Sequence, residues 1–236
     1  MNENKIIGFF KDLEFNEPNH IYSVNGNRIK NSVSKLIKRF VKKTDFDDIA
    51  ISIDNRDSLP NGTTSMMWKL NSEVSLSIGT AAHYFGEMYP FNKILKPSNG
   101  YEEAIVKFWN DLPDHIVPVV MELKMYHKDY MFAGTGDILL YNTKTGHYII
   151  GDYKTNKDLF KNFKEQRMLK IFKDLLDMPI NHYQLQLSFY QILFEQTGYT
   201  VEGRKIIWLK PNGEYEMFDA QDYTNELKEY LKSNKV

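Results

Sequence analysis

The chain carries "GTGD" at 134–137 and, one turn later, "GDYKT" at 151–155. Side chains alternate along a strand, so Asp152 and Lys154 share one face and Tyr153 takes the other. Taken alone, that pair reads either as an ion pair on a sheet surface or as a metal ligand beside a group that handles a proton. Asp137 bears on the choice. It lies on the preceding strand of a natural hairpin, which brings it close to Asp152 at one end of a sheet. Two neighbouring carboxylates repel unless one is protonated or a cation neutralises them. Mg²⁺ is commonly held by one or two carboxylates with waters and phosphate oxygens. Glu122, one strand earlier, offers a third carboxylate. Gly134 and Gly136 permit close backbone approach.

Other polar side chains stand in patterns that suit such a site. His83 ends "GTAAH" (79–83) on a helical stretch; it reads as a satisfied helix histidine or as a neutral imidazole ligand. In "HYQLQLSFYQ", Gln186 and Tyr190 are four residues apart and share a helix face, with His182 on the same stripe. Amide and phenol groups in line suit phosphate or water contacts, and they also suit an interfacial helix with satisfied polar groups.

The elements that must position these residues are legible from periodicity. "HIYSVNGNRIKN" (20–31) reads as two short strands around an Asn-Gly turn. "SVSKLIKRFVKK" reads as a helix capped by Ser32 or Ser34. The acidic stretch 44–59 reads as a helix and its exit, and "NGTTSMMWKLNSEVSLSIGTAAHYFGEMY" as mostly helical. "YEEAIVKFWNDL" is an amphipathic helix stopped by Pro113. "HIVPVVMELKMYH", "YMFAGTGDILLYN" and "GHYIIGDYKTN" are three strands separated by turns. A basic helical region follows, then a helix opened by Pro179 with Gly198 at its C′ position. A hairpin across Pro-Asn-Gly and a terminal helix complete the chain. This order predicts one α/β (α+β) domain over 1–236, with a central mixed β-sheet flanked by helices.

Composition narrows the chemistry. The 236 residues include no cysteine, which excludes disulfides, thiolate zinc sites and cysteine-held iron–sulfur clusters. No apolar run is long enough to span a membrane, and the first residues lack the pattern of a signal peptide; a cytoplasmic location is the expectation. The formal net charge is −1, yet residues 18–44 contain seven Lys/Arg and no acid, and 154–173 are also basic. Two basic segments on a near-neutral chain fit a localised polyanion-binding surface, or simply solvated faces.

In order and spacing, "GTAAH", "GTGD", "DYK" and "QLSFY" resemble the PD-(D/E)XK nuclease superfamily, specifically its RecB-like exonuclease branch. The flanks are similar too, in "HIYSVNGNRIKNSVSKLI" and "MMWKLNSEVSLSIGTAAHYFGE". The resemblance spans roughly 19–198. It implies a restriction-endonuclease-like nuclease core over 79–218, preceded by a hairpin and helical region over 1–78. It further implies that His83, Asp137, Asp152 and the Tyr153 carbonyl hold a metal ion, Mg²⁺ with Mn²⁺ able to substitute. Lys154 would orient or activate the attacking water, and Glu122 would bind a second ion or position water. Gln186 and Tyr190 would help hold the nucleic-acid backbone. Arg28, Lys38 and Arg39 from the first basic segment, with Lys157, Lys161 and Lys164 from the second, are candidates to track that backbone. Phe160, Phe163 and Phe172 are available for base stacking or for core packing. The implied activity is exonucleolytic hydrolysis of DNA to 5′-phosphate products in phage-type replication, recombination or repair, in host cytoplasm if phage-encoded. Implied partners are DNA with a single-stranded end and a separate helicase or single-strand-binding protein. The chain itself carries neither a helicase motif nor an iron–sulfur cluster. A structure-specific endonuclease and a non-catalytic nucleic-acid-binding module are the alternatives.

Overall fold

The computed structural model describes residues 3–234. The chain opens with α1 (Glu3–Phe9) and a small antiparallel sheet of β1 (Leu13–Asn16), β2 (Ile21–Val24) and β3 (Asn27–Arg28). Asn25 and Gly26 both have positive φ, 51° and 74°, as a two-residue turn matched to strand twist requires. Next come β4 (Asn31–Ser32) and α2 (Val33–Ile37), where the Ser32 hydroxyl accepts from Lys35 N. The helix read across 32–43 is thus shorter than its pattern: one 3₁₀ turn follows and Val41 is extended.

Two antiparallel helices come next, α3 (Phe46–Arg56) and α4 (Thr63–Met88). The N-cap of α4 is Gly62, which has no side chain to offer. Asp54 of α3 supplies the missing acceptor, taking hydrogen bonds from Gly62 N, Thr64 N and the Thr64 hydroxyl. The Thr64 hydroxyl holds the Asp54 carboxyl below its ordinary range. After α5 (Gly100–Asp111) the main sheet begins, with β5 (Ile116–Tyr126), β6 (Phe132–Asn142) and β7 (Tyr148–Lys154) as an antiparallel meander. Helix α6 (Pro179–Glu195) crosses over to β8 (Val201–Leu209), which runs parallel to β7. Strand β9 (Tyr215–Asp219) turns back beside β8, and α7 (Thr224–Asn234) closes the described chain.

The sheet is mixed and has helices on both faces. Helices α2, α6 and α7 cover one side, with Leu185, Phe189, Leu193 and Phe194 of α6 in its core. Helices α4 and α5 cover the other, with Phe85, Ile105, Phe108 and Trp109. Tyr153 reaches into this second core, where its hydroxyl accepts from Trp109 Nε1 at 2.8 Å. Its ring lies against Gly86 of α4 so closely that a Cβ there would sit 2.5 Å from it. Among the described residues no helix is long and apolar enough to cross a membrane.

Two readings of the sequence are corrected. Residues 155–173 form no α-helix, only a 3₁₀ turn at Lys170–Phe172. Lys164, Glu165 and Lys170 all have positive φ, and the Asn162 amide ties down the carbonyls of Gln166 and Asp177. The backbone groups a helix would pair are thereby diverted. Gly198 does take a left-handed conformation, φ 84°, but α6 is capped at Gln196, so the glycine lies one residue beyond C′.

Gly86→Ala is expected to cost about 1–3 kcal/mol by overpacking against Tyr153. Urea unfolding followed by circular dichroism measures it; a loss under about 0.5 kcal/mol would show that the α4–β7 contact is looser than described.

Candidate metal centre

The site lies where β6 and β7 part. Their pairing runs from Tyr141↔Tyr148 to Ile138↔Gly151 and stops there. At its other end β6 is flanked by β4, through Asn31↔Phe132 and Ser32↔Ala133. Between these two partners one side of β6 is open, and Asp137 is the first residue in the opening. Its Oδ2 accepts from Tyr153 N at 3.0 Å, so a side chain takes the hydrogen bond that the neighbouring strand would otherwise have made. Gly134 makes room for the helix behind, and Gly136 sits against Met125 of β5. A Cβ at Gly134 would meet the Tyr190 ring at 2.8 Å and Val33 at 2.9 Å.

His83 of α4 faces Asp137 across the helix–sheet junction. Its Nδ1 is 3.2 Å from Asp137 Oδ2 and 3.9 Å from Glu122 Oε1. Its Nε2 is 3.1 Å from the Tyr153 carbonyl oxygen, to which it donates in the tautomer that leaves Nδ1 free. Tyr153 thus uses its N–H on Asp137 and its C=O on His83 while its ring is anchored between α4 and α5. Glu122 is brought in by an unusual backbone, with φ 52° within β5. Met121 belongs to the core on the α4–α5 side and Leu123 to the core on the α6 side; the strand turns over at Glu122. Left-handed backbone at a residue other than glycine costs about 1–3 kcal/mol and concentrates at functional sites.

Ligand atoms of His83, Glu122 and Asp137 lie within 4.8 Å of one another and can hold a divalent cation. The donor chemistry fits: two hard carboxylates and one imidazole whose other nitrogen is fixed by a backbone carbonyl. The protein without a cation shows the same need in its ionisation. Burial and the charge of Asp152 push Asp137 up to about 8. Burial lowers His83, but Asp137, Glu122 and Asp152 outweigh it and raise the imidazole to about 9. The pair holds a proton that a cation would replace.

Asp152 and Lys154 form a second group beside this one. Their side chains make a close ion pair on the α6 face of β7. Asp152 Oδ1 also accepts from Gln186 Nε2 at 3.3 Å, and the same amide donates to the Tyr190 hydroxyl at 2.7 Å. Burial lowers Lys154, but Asp152 and Asp137 more than compensate, so its ammonium is held charged. The ligand atoms expected from the sequence are brought together in two adjoining groups. Asp152 is engaged by Lys154 and Gln186, and the Tyr153 carbonyl by His83, while Glu122 stands with His83 and Asp137.

Other candidates separate. Tyr190 is buried, with its ring against Gly134 of β6 and its hydroxyl accepting from Gln186 Nε2. His182 is paired with Asp177. Phe172 is a core residue against Phe40 and Tyr223, so it is not available for stacking, whereas Phe160 and Phe163 are about half exposed. Arg39 donates to Asn31. Arg28, Lys38, Lys157, Lys161 and Lys164 are exposed. Two residues at the site carried no assignment from the sequence. The Tyr183 ring lies under the Lys154 ammonium at 4.3 Å, and its hydroxyl donates to Asn156. The helix stripe Tyr183–Gln186–Tyr190, spaced i, i+3, i+7, is the signal that would have found it. The Tyr22 hydroxyl, 2.8 Å from Thr135 Oγ1, is held protonated by burial and, to a smaller degree, by the Glu122 charge; nothing in "HIYSV" announces that placement.

Both raised groups bind more protons folded than unfolded. Their contribution to stability is full below the unfolded values and lost as pH rises through about 8 to 9. The cation-free protein should therefore melt at lower temperature at pH 9 than at pH 6. Added Mn²⁺ should raise the melting temperature more at pH 9, since binding releases the protons. Differential scanning fluorimetry with and without EDTA measures both. An Mn²⁺ effect independent of pH, or unchanged by His83→Ala, contradicts the assignment.

No protein-family model matches the chain, and no curated protein matches it. Among solved structures, the chain is similar to one described as "Crystal structure of SSO0001", with 14% identity and a TM-score of 0.40 over 86% of this chain and 73% of that one.

Proposed function

We propose that the protein is a Mg²⁺-dependent deoxyribonuclease that hydrolyses phosphodiester bonds, acting as an exonuclease with 5′-phosphate products. The observation that carries this reading is the juxtaposition at one strand parting of a cation-competent trio, His83, Glu122 and Asp137, with a charged and largely buried lysine, Lys154. A divalent cation in the trio would lower the pKa of a bound water and take up charge developing on phosphate oxygens. The chain's own residues do the rest. Lys154 presents a partly desolvated positive charge, stronger there than in bulk water. Asp152 and the Tyr183 ring fix where that ammonium points, and Gln186 fixes Asp152 in turn. The His83 and Glu122 side chains remain about 30% exposed, so the site is open to a polymeric substrate. The exposed Arg28, Lys38, Lys157, Lys161 and Lys164 supply charge for phosphates. The RecB-like resemblance of the motifs supports the choice of DNA, and the carboxylate–imidazole donor set supports Mn²⁺ as a substitute.

The test is digestion of end-labelled linear, nicked and closed-circular DNA with Mg²⁺ or Mn²⁺. Linear DNA should be degraded from its ends and closed circles spared. Asp152→Ala should lower the rate at least about 100-fold while DNA retention in a gel-shift assay persists. Cutting of closed circles makes the enzyme an endonuclease. No cleavage of any DNA or RNA overturns the nuclease reading.

A further inference from the structure

Helix α4 does two different things along its length. Its C-terminal half carries His83 and packs on the sheet through Ala82, Phe85 and Gly86. The stretch from Met66 to Ile78 is exposed at every residue, yet seven of those thirteen are Met, Trp, Leu, Val or Ile. A solvated helix ordinarily places charge there, and an apolar surface of this extent marks an interaction site. Lys69 is the only cation in the stretch and Glu73 the only anion. That is too little positive charge for a nucleic-acid backbone and too little for a helix lying on a membrane surface, whose polar face is rich in Lys and Arg.

The pattern instead fits itself. Met66, Leu70, Val74 and Ile78 are four apart and form one continuous i±4 ridge, 66%, 55%, 59% and 36% exposed. The ridge is symmetric about position 72. A two-fold axis there sets Leu70 against the partner's Val74 and Met66 against the partner's Ile78, as an isologous contact requires. The single opposite charges, Lys69 and Glu73, lie to one side of the ridge and straddle nearly the same midpoint, so each lysine meets the partner's Glu73. Helix α3 does not obstruct this face. Its Phe46 ring contacts Trp68, which points away from the ridge at 100° per residue. The Asp54 cap holds the base of the α3–α4 pair in place.

We propose that a second copy of this chain docks on the α4 ridge, giving a two-fold dimer with ridges interdigitated. The ridge spans about 20 Å of helix, a short contact of the kind found in weak, reversible interfaces, and the dimer is expected to form on the order of micromolar concentrations. This inference does not depend on the nuclease reading.

Sedimentation velocity of the full chain from about 1 to 100 μM should show a monomer–dimer equilibrium. The double variant Leu70→Glu/Val74→Glu places like charges opposite each other and should weaken it at least about 100-fold, with a melting temperature unchanged at dilutions where both proteins are monomeric. Because the chain has no cysteine, Val74→Cys provides a unique thiol. A short bismaleimide should cross-link it to a dimer, while Ser233→Cys on α7 should not cross-link. A wild type that stays monomeric throughout, or a double variant that dimerises undiminished, overturns the proposal.

Discussion

The parting of β6 and β7 beyond Ile138 and Gly151 is the constraint on which the site depends. A paired strand would have satisfied the Tyr153 N–H with a carbonyl and left no room for a side chain. With the strands apart, that N–H must find another acceptor, and the Asp137 carboxylate supplies it from within the sheet. The carboxylate is thereby desolvated and aimed toward α4, where His83 awaits it. The same residue of β7 anchors the arrangement from behind, since the Tyr153 ring is locked between Gly86 and Trp109. Backbone register, helix–sheet packing and ligand geometry are one coupled arrangement.

Electrostatics follows from that geometry. Asp137, Asp152 and Glu122 gather where burial weakens hydration, and only His83 and Lys154 oppose them. Lys154 pairs with Asp152, which leaves Asp137 and Glu122 with His83. A proton held by the Asp137–His83 pair is one solution; a divalent cation is the other, and it satisfies both carboxylates at once. The left-handed backbone at Glu122 is a local cost that the packing of β5 on β6 sustains, and its effect is to bring a third ligand to the trio.

Much of the fold was legible because its signals are local. The meander showed as alternating apolar runs, the Asn25-Gly26 turn as turn chemistry, and the helix start at Pro179 as a fixed φ. What escaped depends on distant groups. Residues 155–173 carry helical composition, but side chains of Asn156 and Asn162 bond to remote partners and the backbone bends through left-handed residues. Gly134 announced a close approach without revealing that the approaching group is the Tyr190 ring. Phe172 and Phe160 look alike in sequence; only tertiary packing makes one a core residue and leaves the other half exposed. The positive φ of Glu122 has no sequence signal at all, whereas the Asp152–Lys154 pair is one of the two readings that strand alternation allowed.

Where the strands part, Asp137, Glu122 and His83 are placed to hold a cation. Anomalous scattering from a crystal grown with Mn²⁺ tests it most directly. One strong peak is expected within about 2.5 Å of an Asp137 oxygen, a Glu122 oxygen and His83 Nδ1. A peak that bypasses His83 and Glu122, or no peak at this strand parting at saturating Mn²⁺, would contradict it.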